Sequence, residues 1–197
     1  MKRLTLILLG VLLCTPLYSD MNPYIAGVPV SGGGGDGFIG TKNHTFTGGA
    51  SWEGPRTYWS EFTTTTAGDV TYVYFDNNNA NLNTGYVKVA IWDASGNVLA
   101  SASTCNCVQV SGTLYRGTLS SPVTLVSSTT YRLGLASGDA DWQLYRCATS
   151  GSVGRDNTQY TGNTCPTAVE DPVALDATVD ANETMCIWAS NDADDTY

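Results

Sequence analysis

The chain has 197 residues, a net charge of −9 and only nine Lys and Arg residues. That balance excludes nucleic acid as a partner, because phosphate contacts need a basic face. Thr, Ser, Gly, Asn, Val and Tyr dominate while Lys and Glu are scarce, a mixture that suits strands and tight turns rather than helices.

Met1-Lys2-Arg3 is a basic start, Leu4 to Cys14 an apolar run of eleven residues, and Ser19 closes a small-residue exit. This order predicts a secretory signal over residues 1–19, and with it a secreted, extracellular or cell-surface protein. Cys14 as a lipid-bearing residue is disfavoured by the bulky Leu12 and Leu13 before it. A membrane span takes about 20 apolar residues, and no run here is that long, so no membrane insertion is expected.

Residues 20–31 read as an extended arm and residues 32–41 as a Gly-rich linker. In YIAGVPV, Tyr24, Ala26, Val28 and Val30 share one face of an extended chain. The pattern resembles the donor strands of pilin-like fibre subunits. That resemblance implies self-assembly in which each copy gives its arm to the next, an open head-to-tail homopolymer. Pro29 would remove one ladder hydrogen bond. The alternatives are an arm folded back on its own sheet, or a plain linker.

From residue 42 to 190, strand-like runs follow one another at short intervals. They are RTYWSEFTTTT (56–66), VTYVYFD (70–76), GYVKVAIWD (85–93), VLASAS (98–103), TLYRGTL (113–119), PVTLV (122–126), TYRLGLAS (130–137), WQLYRC (142–147) and TMCIWAS (184–190). In the third, Val87, Val89 and Ile91 take one face and Lys88, Ala90 and Trp92 the other. Asp93 to Asn97 is a hairpin turn signal. The expectation is an all-β antiparallel sandwich of roughly nine or ten strands, jelly-roll in type. Residues 148–183 lack pattern and read as a long loop, and residues 191–197 as an acidic tail.

VKVAIWDASGNVLASAS followed by LYRGTLSSPVTLVSSTTYRLGLA resembles a secreted bacterial β-sandwich domain. Such domains occur on cell-surface, appendage-associated and carbohydrate-binding proteins. The resemblance covers Tyr86 to Ala136 and rests on turn and core residues, so it speaks to fold more than to function.

Five cysteines remain after the signal: Cys105, Cys107, Cys147, Cys165 and Cys186. Two disulfides and one odd thiol are expected in an oxidising compartment. Cys105 and Cys107 point the same way along a strand and should not bond each other. One of them pairing with Cys147, and Cys165 pairing with Cys186, is the arrangement expected, although spacing cannot fix connectivity.

No catalytic constellation stands out. His44 is the sole histidine and has no nucleophile motif to serve, and no pair of carboxylates is singled out by spacing. A non-enzyme is expected. Trp52 and Trp59 are candidate platforms for stacking sugars, with at least three of the five Trp residues assigned to the core. Asp76, Asn78, Asp139 and Asp141 are candidate calcium ligands, outweighed by their use in turns; no other cofactor is expected. Asn43 and Asn182 open glycosylation sequons. The leading expectation is a structural subunit that polymerises through its arm, with glycans as further partners; the alternative is a carbohydrate-binding module.

Overall fold

The structure is a computed structural model and describes residues 37–42, 55–77, 82–139, 143–147, 153–160, 162–171, 173, 177–180 and 184–195. The described residues form thirteen strands: β1 Phe38–Gly40, β2 Arg56–Thr63, β3 Gly68–Asp76, β4 Val87–Asp93, β5 Val98–Ser101, β6 Val108–Ser111, β7 Leu114–Leu125, β8 Thr130–Ser137, β9 Arg146–Cys147, β10 Val153–Gln159, β11 Ala177–Asp180, β12 Thr184–Met185 and β13 Ile187–Ser190.

They build a five-stranded sheet in the order β1-β13-β3-β7-β6 and a six-stranded sheet in the order β11-β10-β2-β8-β4-β5, every pairing antiparallel. Leaving β6, β10 and β11 aside, the sheets run β1-β13-β3-β7 and β2-β8-β4-β5. These eight strands are ordered first-eighth-third-sixth and second-seventh-fourth-fifth, the winding of a jelly roll. The small β9–β12 ladder closes one end.

Alternation drives this assembly. Val87, Val89 and Ile91 of β4 join Leu133 and Leu135 of β8 in one apolar cluster with Val73 and Phe75 of β3 and Ile187 of β13. Each fully buried aliphatic side chain contributes about 1.5–3 kcal/mol, so this cluster holds the two sheets together.

The sequence expectations need four structural corrections. The stretch assigned to the linker already contains β1, which pairs with β13 from Phe38↔Ser190 to Gly40↔Trp188. The runs at 113–119 and 122–126 are one strand, β7, with a register irregularity opposite Thr71. Pro122, which has no N–H to give, sits where the ladder is interrupted. The patternless stretch 148–183 contributes β10 and β11, because β10 finds its pairing partner in β2. The acidic tail is folded as far as Asp195. Tyr74 Oη donates to Asp192 O at 2.5 Å, Arg116 donates to Ala193 O, and Lys42 pairs with Asp195. Beneath that segment Trp188 stacks on Tyr74, ring centroids 5.2 Å apart, and donates through Nε1 to Asp195.

Candidate ligand-binding cleft

The outer face of the six-stranded sheet carries Lys88, Ala90 and Trp92 of β4, Trp59 of β2 and Ala136 of β8. Alternation puts them there, away from the core. An exposed face would leave Trp92 wet, yet Trp92 is completely buried. The cover is a strap laid across the sheet, described over residues 162–171 and at Val173. Trp92 Nε1 donates to Glu170 O at 2.8 Å and Lys88 Nζ to Thr167 O at 3.1 Å. The strap reaches the β4–β5 turn through Val98 N donating to Asp171 Oδ1 at 3.1 Å and Val173 N donating to Gly96 O at 2.8 Å. Gly96 has φ +90° with the Val173 carbonyl against it, a site where a side chain would be both strained and blocked. At the other end Cys165 is disulfide-bonded to Cys105.

Between strap and sheet lies an open cleft of about 360 Å³. Lys88 and Ser101 line it from the sheet, Ser103 from the loop after β5, and Thr167, Val169 and Asp171 from the strap. Lys88 is 6% exposed. Its ammonium has three donors and makes one hydrogen bond, to a neutral carbonyl, with no carboxylate in ion-pair range among the described residues. A sheltered cation satisfied by one backbone oxygen keeps donors for a ligand.

Before the strap begins, Tyr160 Oη and Thr57 Oγ1 share a hydrogen bond of 2.7 Å. Burial pushes the Tyr160 phenol up to about 12, and the Glu170 and Asp156 charges add to the rise. Burial also raises the Glu170 carboxyl, as does the repulsion of Asp156.

The disulfides are Cys105–Cys165 and Cys147–Cys186. Two bridges and one thiol were expected, but the pairing differs. Strands β9 and β12 place Cys147 across from Thr184, next to Cys186, whereas the strap brings Cys165 to Cys105. Cys107 is the free thiol, buried, with its Sγ 3.4 Å from Val87 O.

Trp59 is no stacking platform. It is 6% exposed, with the Arg132 guanidinium 4.8 Å from its ring centroid. Gly154 packs so closely that a Cβ there would come within 1.9 Å of the ring. Arg132 in turn donates to Glu61 at 3.1 Å. Trp52, the other platform candidate, lies outside the described residues, as do Asn78, Asp141, Asn43, Asn182 and the arm residues Tyr24, Ala26, Val28 and Val30.

Of the four calcium candidates, Asp76 and Asp139 lie among the described residues, and Asp139 Oδ2 accepts from Asn83 N at 3.2 Å. Asp76 is fully buried and accepts from Thr113 Oγ1 at 3.1 Å. Among the described residues no three His, Cys, Asp or Glu side chains gather as a metal set.

Lys88 was not singled out as a site residue from sequence. One signal was available: outside the signal segment the chain has only two lysines, Lys42 and Lys88, and Lys88 shares its strand face with Ala90 and Trp92.

No curated protein matches the chain. A family model described as a domain of unknown function, DUF4082, matches residues 55–164, more than half of the chain. The match starts just before β2 and ends just before Cys165, so it takes in the sheet side of the cleft and stops short of Thr167 to Asp171. With β2 to β8 and β10 of the sandwich inside the matched stretch, the chain belongs to the DUF4082 domain family.

Proposed function

We propose that this protein is a non-enzymatic extracellular binding domain that takes a small polar ligand in the cleft beneath the strap. The observation that carries this reading is Lys88: a cation 6% exposed, held by one carbonyl, lining an open cleft beside Ser101, Ser103 and Asp171. Concave sites with a few converging polar groups are where small ligands bind. Two disulfides fit an oxidising, extracellular setting. The test is a thermal-shift and calorimetric screen of soluble sugars, sugar acids and amino acids against the wild-type protein and a Ser103→Tyr variant that fills the cleft mouth. Binding lost in that variant supports the reading; binding retained, or no binding at all, defeats it.

A second reading, a fibre subunit assembled by its N-terminal arm, is favoured by the sheet edges. The arm precedes β1 at one edge of the five-stranded sheet, while β6 forms the other edge with Val108 46% exposed. An arm added to the β6 edge of a neighbour would continue the sheet from copy to copy. All eight jelly-roll strands are supplied from Phe38 onward, so the arm would extend an edge rather than fill a gap. Electron microscopy of the secreted chain beside one beginning at Gly37 tests it: filaments from the longer chain alone are expected, and single particles from both would end the idea.

A further inference from the structure

The cleft's charges and surface narrow the ligand class. One cation, Lys88, approaches from the sheet; one carboxylate, Asp171, stands on the strap wall; and the two do not form an ion pair. Asp171 Oδ1 already accepts from Val98 N, which holds the carboxylate in place. The hydroxyls of Ser101, Ser103 and Thr167 lie on the same lining, with Val169 among the apolar patches. A ligand that satisfies both ends needs an anionic group for Lys88 and hydroxyl donors for Asp171.

Among the described residues no aromatic side chain lines this cleft. Trp92, the nearest candidate by position on β4, is sealed by the strap. A neutral sugar would therefore find no ring to stack on and would leave the Lys88 ammonium without a new partner. An acid sugar supplies one. Phosphate is a poorer fit, since its charge of about two and several strong acceptors are ordinarily met by more than one cation or by a fork of N–H groups. The protein's net charge of −9 works against dense polyanions at long range, but screening confines that repulsion to about 8–10 Å at physiological salt. A single carboxylate seated against a buried ammonium acts well inside that distance.

We infer that the cleft binds a sugar acid, a carboxylate carried on a polyhydroxylated ring such as a hexuronate, with its carboxylate on Lys88 Nζ and its hydroxyls on Asp171 and the serines. This rests on the binding-domain reading above, and it adds the charge of the ligand and the residue that recognises it. It also implies an ordering within the site. Lys88 already donates to Thr167 O, so ligand and strap share one ammonium, and bound carboxylate fixes the Lys88 side chain that holds the strap.

The test is calorimetry and ligand-observed NMR with the methyl glycosides of galacturonate and glucuronate, beside methyl galactoside, methyl glucoside and glucose 6-phosphate. The wild-type protein should bind at least one uronide at least tenfold more tightly than its neutral counterpart and than the phosphate ester. Lys88→Met should lose that preference tenfold or more, and Lys88→Arg should keep part of it. If Lys88→Met fails to fold, Ser103→Tyr, with Lys88 intact, must still abolish uronide binding. Equal binding of neutral and acidic glycosides in the cleft would overturn this inference and leave the binding-domain reading standing. Preference for the phosphate ester, or uronide binding indifferent to both positions, would overturn the inference as well. Silence from every sugar in the wild-type protein would overturn the inference too, and the binding-domain reading would then stand or fall on the wider screen that includes amino acids.

Discussion

Lys88 Nζ donates to the carbonyl oxygen of Thr167 at 3.1 Å, and that single bond ties the middle of the strap to β4, the strand next to the β5 edge of the six-stranded sheet. Trp92, four residues along on the same face of β4, makes the matching bond to Glu170 O at 2.8 Å. Two side chains of one strand thus hold a segment about 80 residues later in sequence by its backbone. The cleft exists because the strap is held there.

Removing the Lys88 partner should therefore loosen the strap before it unfolds the sandwich. A hydrogen bond to a charged group contributes about 1.5–3 kcal/mol, and Lys88→Ala should cost that much in chemical denaturation. Limited proteolysis should cut first between Gly162 and Val173. A cut elsewhere, with the strap still protected, would show that Trp92 and the disulfide suffice.

The Cys105–Cys165 bridge anchors the same strap from its other end. Its ring spans a separation of 60 residues, for which chain entropy predicts about 4 kcal/mol. The double change Cys105→Ser, Cys165→Ser should lower the melting temperature and shift Trp fluorescence to longer wavelength as Trp92 meets water. The β9–β12 end, pinned by Cys147–Cys186, should stay protected from hydrogen exchange.

Cys107 should be silent to thiol reagents while the protein is folded. Burial pushes its thiol from 9.0 up to about 12, and its Sγ faces Val87 O. In protein made without residues 1–19, Ellman's reagent should find no thiol in the native state and one after unfolding in guanidinium. Because the folded value is raised above the unfolded one, the neutral thiol's stabilising contribution is complete below pH 9.0 and is lost as pH climbs toward 12. Cys107→Ala should flatten that alkaline loss.

Glu170 carries the opposite practical consequence at neutral pH. Burial first, and then Asp156, raise its carboxyl above the ordinary value of 4.5. Stability linked to it is full below that value and falls as pH rises through the higher folded value. At neutral pH its site thus works against the ionised form, and Glu170→Gln should raise the melting temperature there while changing little at pH 4. Its backbone carbonyl, which receives Trp92, is untouched by the substitution. A lower melting temperature at pH 7 would mean that the carboxylate has a favourable partner in the fold.

Trp59→Phe tests core against platform. The Trp59 Nε1 is buried without a hydrogen-bond partner, a cost of about 1–3 kcal/mol that Phe would relieve. Lost ring contacts with Gly154 and Arg132 oppose that gain. Stability should change by no more than about 1 kcal/mol, well below the 3–5 kcal/mol typical of Trp→Ala in a core. Sugar-acid binding should be unaffected, whereas a stacking platform would lose affinity.

The sandwich was legible wherever one face is buried and the other is not. VKVAIWD declared its period, and β4 has Val87, Val89 and Ile91 inward as that period demands. β10 was illegible because VGRDNTQ carries no alternation; pairing with β2 and the fit of Gly154 to Trp59 make it a strand. The strap was hidden for a different reason. Its anchors are carbonyl oxygens of Thr167 and Glu170, which every sequence possesses, met by two side chains far away along the chain. Asn191 to Asp195 read as solvated acid for the same cause: Asp192 and Ala193 are held by their carbonyls, not by any pattern of side chains. The odd thiol was foreseen by counting, but the partner of Cys165 depends on where the strap lies.

Chemical-shift mapping of the backbone amides during titration with a methyl uronide bears most directly on the Lys88 cleft. The account predicts that Ser101 to Ser103 and Thr167 to Asp171 shift together and saturate at one affinity, and that Lys88→Met removes the response at both walls. Shifts confined to another face of the sandwich, or a response unchanged without Lys88, would contradict it.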